Sequence, residues 1–172
     1  LTSIMSNSGN QDRKIAFGSW KALRAIIHRP PPPDDHEAVV QHLMRVFSVI
    51  GSPAFRHELG QMRPLFERVA RRGLYRNGTA RQLLAILASG DRRPLLASIT
   101  APTLVLHGAD DPLVPIAAGV DTTANIPGAR LEVIPGMGHD FPPGLMARIA
   151  TRVAEHCRAV PSTQPAPATQ SA

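Results

Sequence analysis

The chain has 172 residues and a formal net charge of +6, with 43% hydrophobic but only 4% aromatic residues. That length allows one domain, or one domain and part of another, with a core resting on Leu, Ile, Val and Ala. The positive charge is nearly all Arg, scattered singly or in pairs such as Arg71-Arg72 and Arg92-Arg93, with no basic stripe interleaved with aromatics; this argues against nucleic-acid binding. The single cysteine, Cys157, excludes an internal disulfide and fits a reducing, cytoplasmic setting. No apolar run reaches the length of a membrane span, and no signal peptide opens the chain, which starts at Leu1 rather than Met.

Residues 1–6 are apolar and partly β-branched, and predict a buried core strand within 1–9. An opening inside a strand leads to the expectation that the true start lies upstream. Ser6 to Asn10 reads as a loop. Ile15, Ala22, Leu23, Ile26 and Ile27 predict a helix over 14–28, weakened at Gly18 and ended by Pro30 to Pro33. Asp34 and Asp35 are N-cap candidates for the next helix, which carries Val39, Val40, Leu43, Met44, Phe47 and Ile50 and stops at Gly51. A further helix is expected over 59–72, with Met62, Leu65, Phe66 and Val69 on one face and Gly73 at its end. Another, capped by Thr79, carries Leu83, Leu84 and Leu87 and ends near Gly90. Residues 10–98 therefore read as a helical region.

The pattern changes after Thr100. Pro102 to Leu106 is a continuous apolar run of the kind buried on both faces of a parallel sheet. The polar loop His107-Gly108-Ala109-Asp110-Asp111 follows, then a helix from Pro115 through Ala117, Ala118 and Val120. Leu131 to Ile134 predict a second strand, closed by the loop Pro135-Gly136-Met137-Gly138-His139-Asp140. A last helix over 143–158 turns Leu145, Ile149 and Val153 inward. Residues 99–159 thus form an α/β unit, and the Pro-, Ala- and Ser-rich stretch 160–172 is expected to be disordered.

In open parallel sheets the reacting groups lie beyond the C-terminal ends of the strands, where both polar loops fall. Asp111 and His139 are 28 residues apart, about one strand–helix–strand unit, so the loops can be neighbours. A histidine acts as a base only when its tautomer and ring orientation are fixed, and a carboxylate on its other nitrogen fixes both. Asp110 reads as a solvated loop or capping residue, and His107 as a packed strand residue. His28, His36, His42, His57 and His156 read as surface or cap residues, and Cys157 as inert. The Asp and His spacings match no common zinc pattern, so no metal or cofactor is expected.

The stretch His107-Gly108-Ala109-Asp110-Asp111-Pro112-Leu113-Val114-Pro115 resembles the acid loop of α/β-hydrolases, in which the catalytic acid stands three residues after a Gly. That selects Asp111. Gly136-Met137-Gly138-His139 resembles the family's catalytic-histidine loop, and the order acid then histidine agrees with the family order. The resemblance covers roughly residues 1–158 and is closest to small bacterial esterases of the aclacinomycin methylesterase type. It implies the C-terminal part of an α/β-hydrolase fold, sheet strands 6 to 8, with 10–98 as a helical cap. It also implies a Ser-His-Asp mechanism on a small ester-like substrate, with Asp111 and His139 as catalytic residues. No Gly-x-Ser-x-Gly occurs in the chain: Gly18-Ser19-Trp20 and Gly51-Ser52-Pro53 lack the pattern. The nucleophile and oxyanion hole are therefore missing, and the chain alone is expected not to hydrolyse by the family mechanism. An Asp nucleophile of the epoxide hydrolase or dehalogenase type, and a non-catalytic truncated module, remain open. The missing sheet neighbours also predict unpaired strand edges and an uncovered apolar face.

Overall fold

The computed structural model describes residues 1–75 and 77–159; the tail expected to be disordered lies outside them. Three parallel strands, in the order β1–β2–β3, form the sheet: β1 (Thr2–Ile4), β2 (Leu104–Gly108) and β3 (Arg130–Ile134). Thr2 pairs with Leu104 and Ile4 with Leu106; on the other side Leu104 pairs with Arg130 and Gly108 with Ile134. All five residues of β2 are buried, because a central strand of a parallel sheet is covered on both faces and flanked at both edges. The strand starts two residues later than the apolar run suggests and takes in His107 and Gly108, which the sequence places in the loop. Among the described residues β1 pairs only with β2, so its outer edge is open.

Between β1 and β2 the chain is helical. The single helix expected over 14–28 is two, α1 (Arg13–Ala16) and α2 (Trp20–Ile27). The break has a tertiary cause. The backbone at Gly18 lies against the carbonyls of Pro112 and Leu113, and the Ser19 amide donates to Pro112 O at 2.7 Å. Ser19 then starts α2, its hydroxyl accepting from the Ala22 amide. Helix α3 (His36–Ile50) is capped by Asp35, which accepts from the Ala38 amide at 2.9 Å.

A 3-10 segment, Pro53–Met62, leads into α4 (Arg63–Arg72), where the sequence predicts one helix over 59–72. Leu65 is exposed there and Val69 only half-buried, while Ala70 is buried instead. The inward face is set by α3, where Val39, Val40, Met62, Phe66 and Ala70 form one cluster and Phe47 packs on Phe66 with ring centroids 5.0 Å apart. Helix α5 (Gly78–Ser89) begins after Asn77, so Thr79 lies inside the helix rather than capping it. A short α6 (Arg93–Leu96) precedes β2.

Helix α7 (Ile116–Ala124) makes the crossover from β2 to β3, with Ala118 and Thr122 buried and Val120 exposed. Helix α8 (Pro143–Ala159) covers one face of the sheet. There Leu104, Leu106, Ile134, Met137, Leu145 and Ile149 form the second core cluster, with Ile4 and Val153 against it. His156 is not a surface residue: it is buried, and its Nε2 donates to the carbonyls of Leu1 (3.0 Å) and Pro102 (3.2 Å). It pins α8 to the start of β1 and β2, sharing the Leu1 carbonyl with the Leu104 amide and the Pro102 carbonyl with the Leu1 amino group. His42 is likewise buried, between α2 and α3.

Candidate active site

The ladder between β2 and β3 continues into their loops. The Ala109 amide donates to Ile134 O at 3.0 Å and the Asp110 amide to Met137 O at 3.1 Å, so the acid loop and the histidine loop leave the sheet side by side. Asp110 also crosses between them, its Oδ2 accepting from the Gly136 amide at 2.8 Å. It is exposed, as a loop residue, but it ties the two loops together.

Asp111 divides its two oxygens between two tasks. Oδ1 accepts from the amides of Leu113 (2.9 Å) and Val114 (2.8 Å), closing the acid loop on itself. Oδ2 lies 2.8 Å from Nδ1 of His139. The loop closure and the histidine contact thus fall on different oxygens, and neither caps α7, whose N-cap is Pro115. An ionised carboxylate only accepts, so Nδ1 donates and Nε2 is left with its lone pair. The Asp111 side chain is fully buried and that of His139 is 27% exposed, so the pair is shielded from water on the Asp111 side and open on the His139 side.

His139 is carried to this position by a tight turn that only glycine adopts freely. Gly136 has φ +74°, which favours glycine, and a Cβ there would lie 2.4 Å from that of Ala54. Beyond it the His139 amide donates to Ile50 O at 2.8 Å, the last carbonyl of α3. His107, buried under the acid loop, places Nε2 2.9 Å from Val114 O and so braces the loop's far end.

His139 borders a cavity of about 500 Å³ between the strand ends and the helices. Its wall is mostly apolar: Met5 from the end of β1, Phe17 and Leu23 beside and on α2, Ile86 on α5, and Leu113 and Val114 from the acid loop. Met5 has φ +47°, a left-handed conformation costly for a residue with a side chain. Its amide still bonds to Leu106 O at 3.0 Å, so the chain leaves the sheet at once and turns Met5 into the cavity wall. The polar part of the lining includes Arg92, which donates to the Asn7 carbonyl at 2.7 Å and to Asn7 Oδ1 at 3.1 Å.

The sequence reading missed Met5 and Arg92 as cavity residues, and it missed Ser52 and Asp140 behind the histidine loop. Only the apolar helix faces signalled the cavity. Among the described residues no group of three or more His, Cys, Asp or Glu is placed to hold a metal ion, and no helix is long and apolar enough to cross a membrane.

Residues 52–142 match the model of the alpha/beta hydrolase fold family. Over 53 residues the chain is 45% identical to 2-hydroxy-6-oxo-6-phenylhexa-2,4-dienoate hydrolase from Burkholderia cepacia, a match covering 31% of this chain and 18% of that protein. Its fold is similar to that of a meta-cleavage product hydrolase from Pseudomonas fluorescens IP01 (TM-score 0.67, 15% identity, 91% of this chain and 54% of that one). It is also similar to an esterase from Rhodococcus sp. ECU1013 (TM-score 0.55, 21% identity, 84% and 50%). The chain thus spans about half the length of these solved structures.

Proposed function

Because this chain belongs to the α/β-hydrolase fold family, we propose that Asp111 and His139 are the acid and the base of a serine hydrolase acting on a small, apolar, ester-like substrate. The observation that carries this reading is the 2.8 Å contact between His139 Nδ1 and a fully buried Asp111 carboxylate, with the ring bordering an apolar cavity. Nε2 of His139 takes the proton of a serine hydroxyl as that oxygen attacks the carbonyl carbon. Asp111 holds the tautomer and stabilises the imidazolium that forms. The imidazolium then returns the proton to the leaving alcohol, and in the second half of the cycle Nε2 activates water to release the acid.

The chain contains no Gly-x-Ser-x-Gly, so the serine and the oxyanion donors are assigned to residues outside these 172. The helices of 10–98 serve as the cap, with α2 and α5 closing the cavity over the substrate.

The test uses the protein carrying the coding sequence upstream of Leu1, assayed with short-chain p-nitrophenyl esters. Replacing His139 by Ala is expected to lower kcat on the order of 10³-fold or more with KM little changed, and Asp111→Asn to do nearly as much. Full activity in H139A would sink the assignment. The 172-residue chain by itself is expected to give no turnover. A second reading, hydrolysis of an aryl-substituted oxo-dienoate, is favoured by the 45% identical relative. Turnover of 2-hydroxy-6-oxo-6-phenylhexa-2,4-dienoate well above that of the esters would select it.

A further inference from the structure

Ser52 stands at the N-terminus of the 3-10 segment, directly before Pro53, where a serine hydroxyl ordinarily caps the helix that follows. Here it makes no such bond. Its Oγ accepts instead from the Gly138 amide at 2.9 Å, and its hydroxyl hydrogen goes to Oδ1 of Asp140. The Ser52 amide donates to the same oxygen at 2.8 Å. Ser52 and Asp140 are both buried, at 2% and 7% exposure.

One residue earlier the backbone of Gly51 is in close contact with Gly138: a Cβ on Gly138 would lie 2.5 Å from the Gly51 carbonyl. Beside that contact runs the His139 amide bond to Ile50 O. Gly138, His139 and Asp140 are thus each held by one of Ile50, Gly51 or Ser52, and Gly136 O accepts from the Ala54 amide at 3.2 Å.

We infer that Ser52 and Asp140 are positioning residues that lock the backbone on both sides of His139 and so set the ring against Asp111. A buried serine that gives up its own cap, and a buried carboxylate whose hydrogen-bond donors both come from that serine, form a latch between the end of α3 and the histidine loop. Without it the loop is held by single backbone bonds, and the imidazole samples orientations in which Nδ1 leaves Asp111. Only the kinetic part of this inference rests on the hydrolase reading above; the latch itself is a statement about the loop.

The experiment is therefore run first on the isotope-labelled 172-residue chain, by long-range ¹H–¹⁵N imidazole spectra and amide hydrogen exchange. Ser52→Ala and Asp140→Ala are expected to replace the Nδ1–H tautomer of His139 by a mixture. They should also speed exchange at Gly138 and His139 by about tenfold, the loss of roughly one buried hydrogen bond, while Leu106 and Ile134 change far less. Asp140→Asn keeps an acceptor oxygen for both Ser52 donors and should stay within about twofold of the parent.

Three results overturn the latch. One is an unchanged His139 tautomer in S52A and D140A. Another is exchange at Leu106 and Ile134 that accelerates in step with Gly138, which is a general stability effect. The last is a D140N spectrum as altered as that of D140A. In the protein assayed for ester turnover, S52A should lower kcat by about 10–100-fold at similar KM, because a small misplacement of the base slows chemistry more than binding. An altered His139 signal in a protein without hydrolase activity would sustain the latch and remove the function, so the two failures are distinguishable.

Discussion

The sheet region and the helical region solve the burial problem in different ways. In the first, β2 is enclosed by β1, β3 and α8, and its core is made by alternate residues of short strands meeting one long helix. In the second, α3 and α4 pack along their lengths and close a core of their own around Phe66. The chemical groups come from the sheet region, while much of the cavity wall comes from α2 and α5, which have few or no fully buried residues. The difference separates what must be rigid from what only has to enclose.

If the two cores are independent, they should fail independently. Phe66→Ala is expected to cost ~3–5 kcal/mol and Leu145→Ala ~2–5 kcal/mol, each from lost burial and a residual cavity. Amide exchange should show the F66A loss in α3 and α4 with β2 and β3 protected, and the L145A loss in the reverse pattern. Equal losses everywhere would merge the two cores into one cooperative unit.

The junction comes next. Gly18→Ala puts a Cβ 2.2 Å from the Pro112 carbonyl oxygen, and should cost ~1–3 kcal/mol by forcing backbone apart. Denaturant unfolding measures the cost, and a shift of the Leu113 amide resonance would place the strain at the acid loop. A milder change, Asp35→Ala, removes the α3 cap for ~1 kcal/mol, visible as fraying of residues 36–39 in exchange without effect on the sheet.

The smallest effect is one of pH. Burial, then the charges of His28 and Arg45, hold the His42 imidazole below its usual value of 6.5. The unfolded chain therefore binds more protons in that window. Stability of the helical region is full at neutral pH and declines as pH falls through about 6.5. His42→Gln should flatten that part of the pH profile in thermal unfolding, and an unchanged slope would show that His42 does not set it.

How much of this was legible in the sequence follows the same divide. The two polar loops after β2 and β3 could be placed because each is a short local pattern at the end of an apolar run, and their spacing matches one crossover unit. Asp111 was separable from Asp110 only by family resemblance; the structure distinguishes them by what their oxygens accept. The division of the first helix was not legible, since its cause, the Pro112 carbonyl, lies far along the chain from Gly18. Periodicity groups Leu65 with Met62, Phe66 and Val69 on one face, but α3 lies on the side where Ala70 falls. His156 reads as a surface or cap residue because nothing local shows that the carbonyls of Leu1 and Pro102 meet it. Ser52 and Asp140 belong to no periodic pattern at all, and a serine before a proline reads as a cap until its hydroxyl is seen to point elsewhere.

The cavity's divided ownership has a consequence for how such a protein changes over time. Substitutions at Leu23, Ile86 or Phe17 reshape the enclosed space and leave Asp111 and His139 themselves in place, so on the proposed hydrolase reading the range of molecules accepted is free to drift while the pair is kept. The same freedom does not extend to the end of α3. A library built on α2 and α5 should yield altered preferences, whereas one that includes residues 50–52 should yield mostly inert proteins.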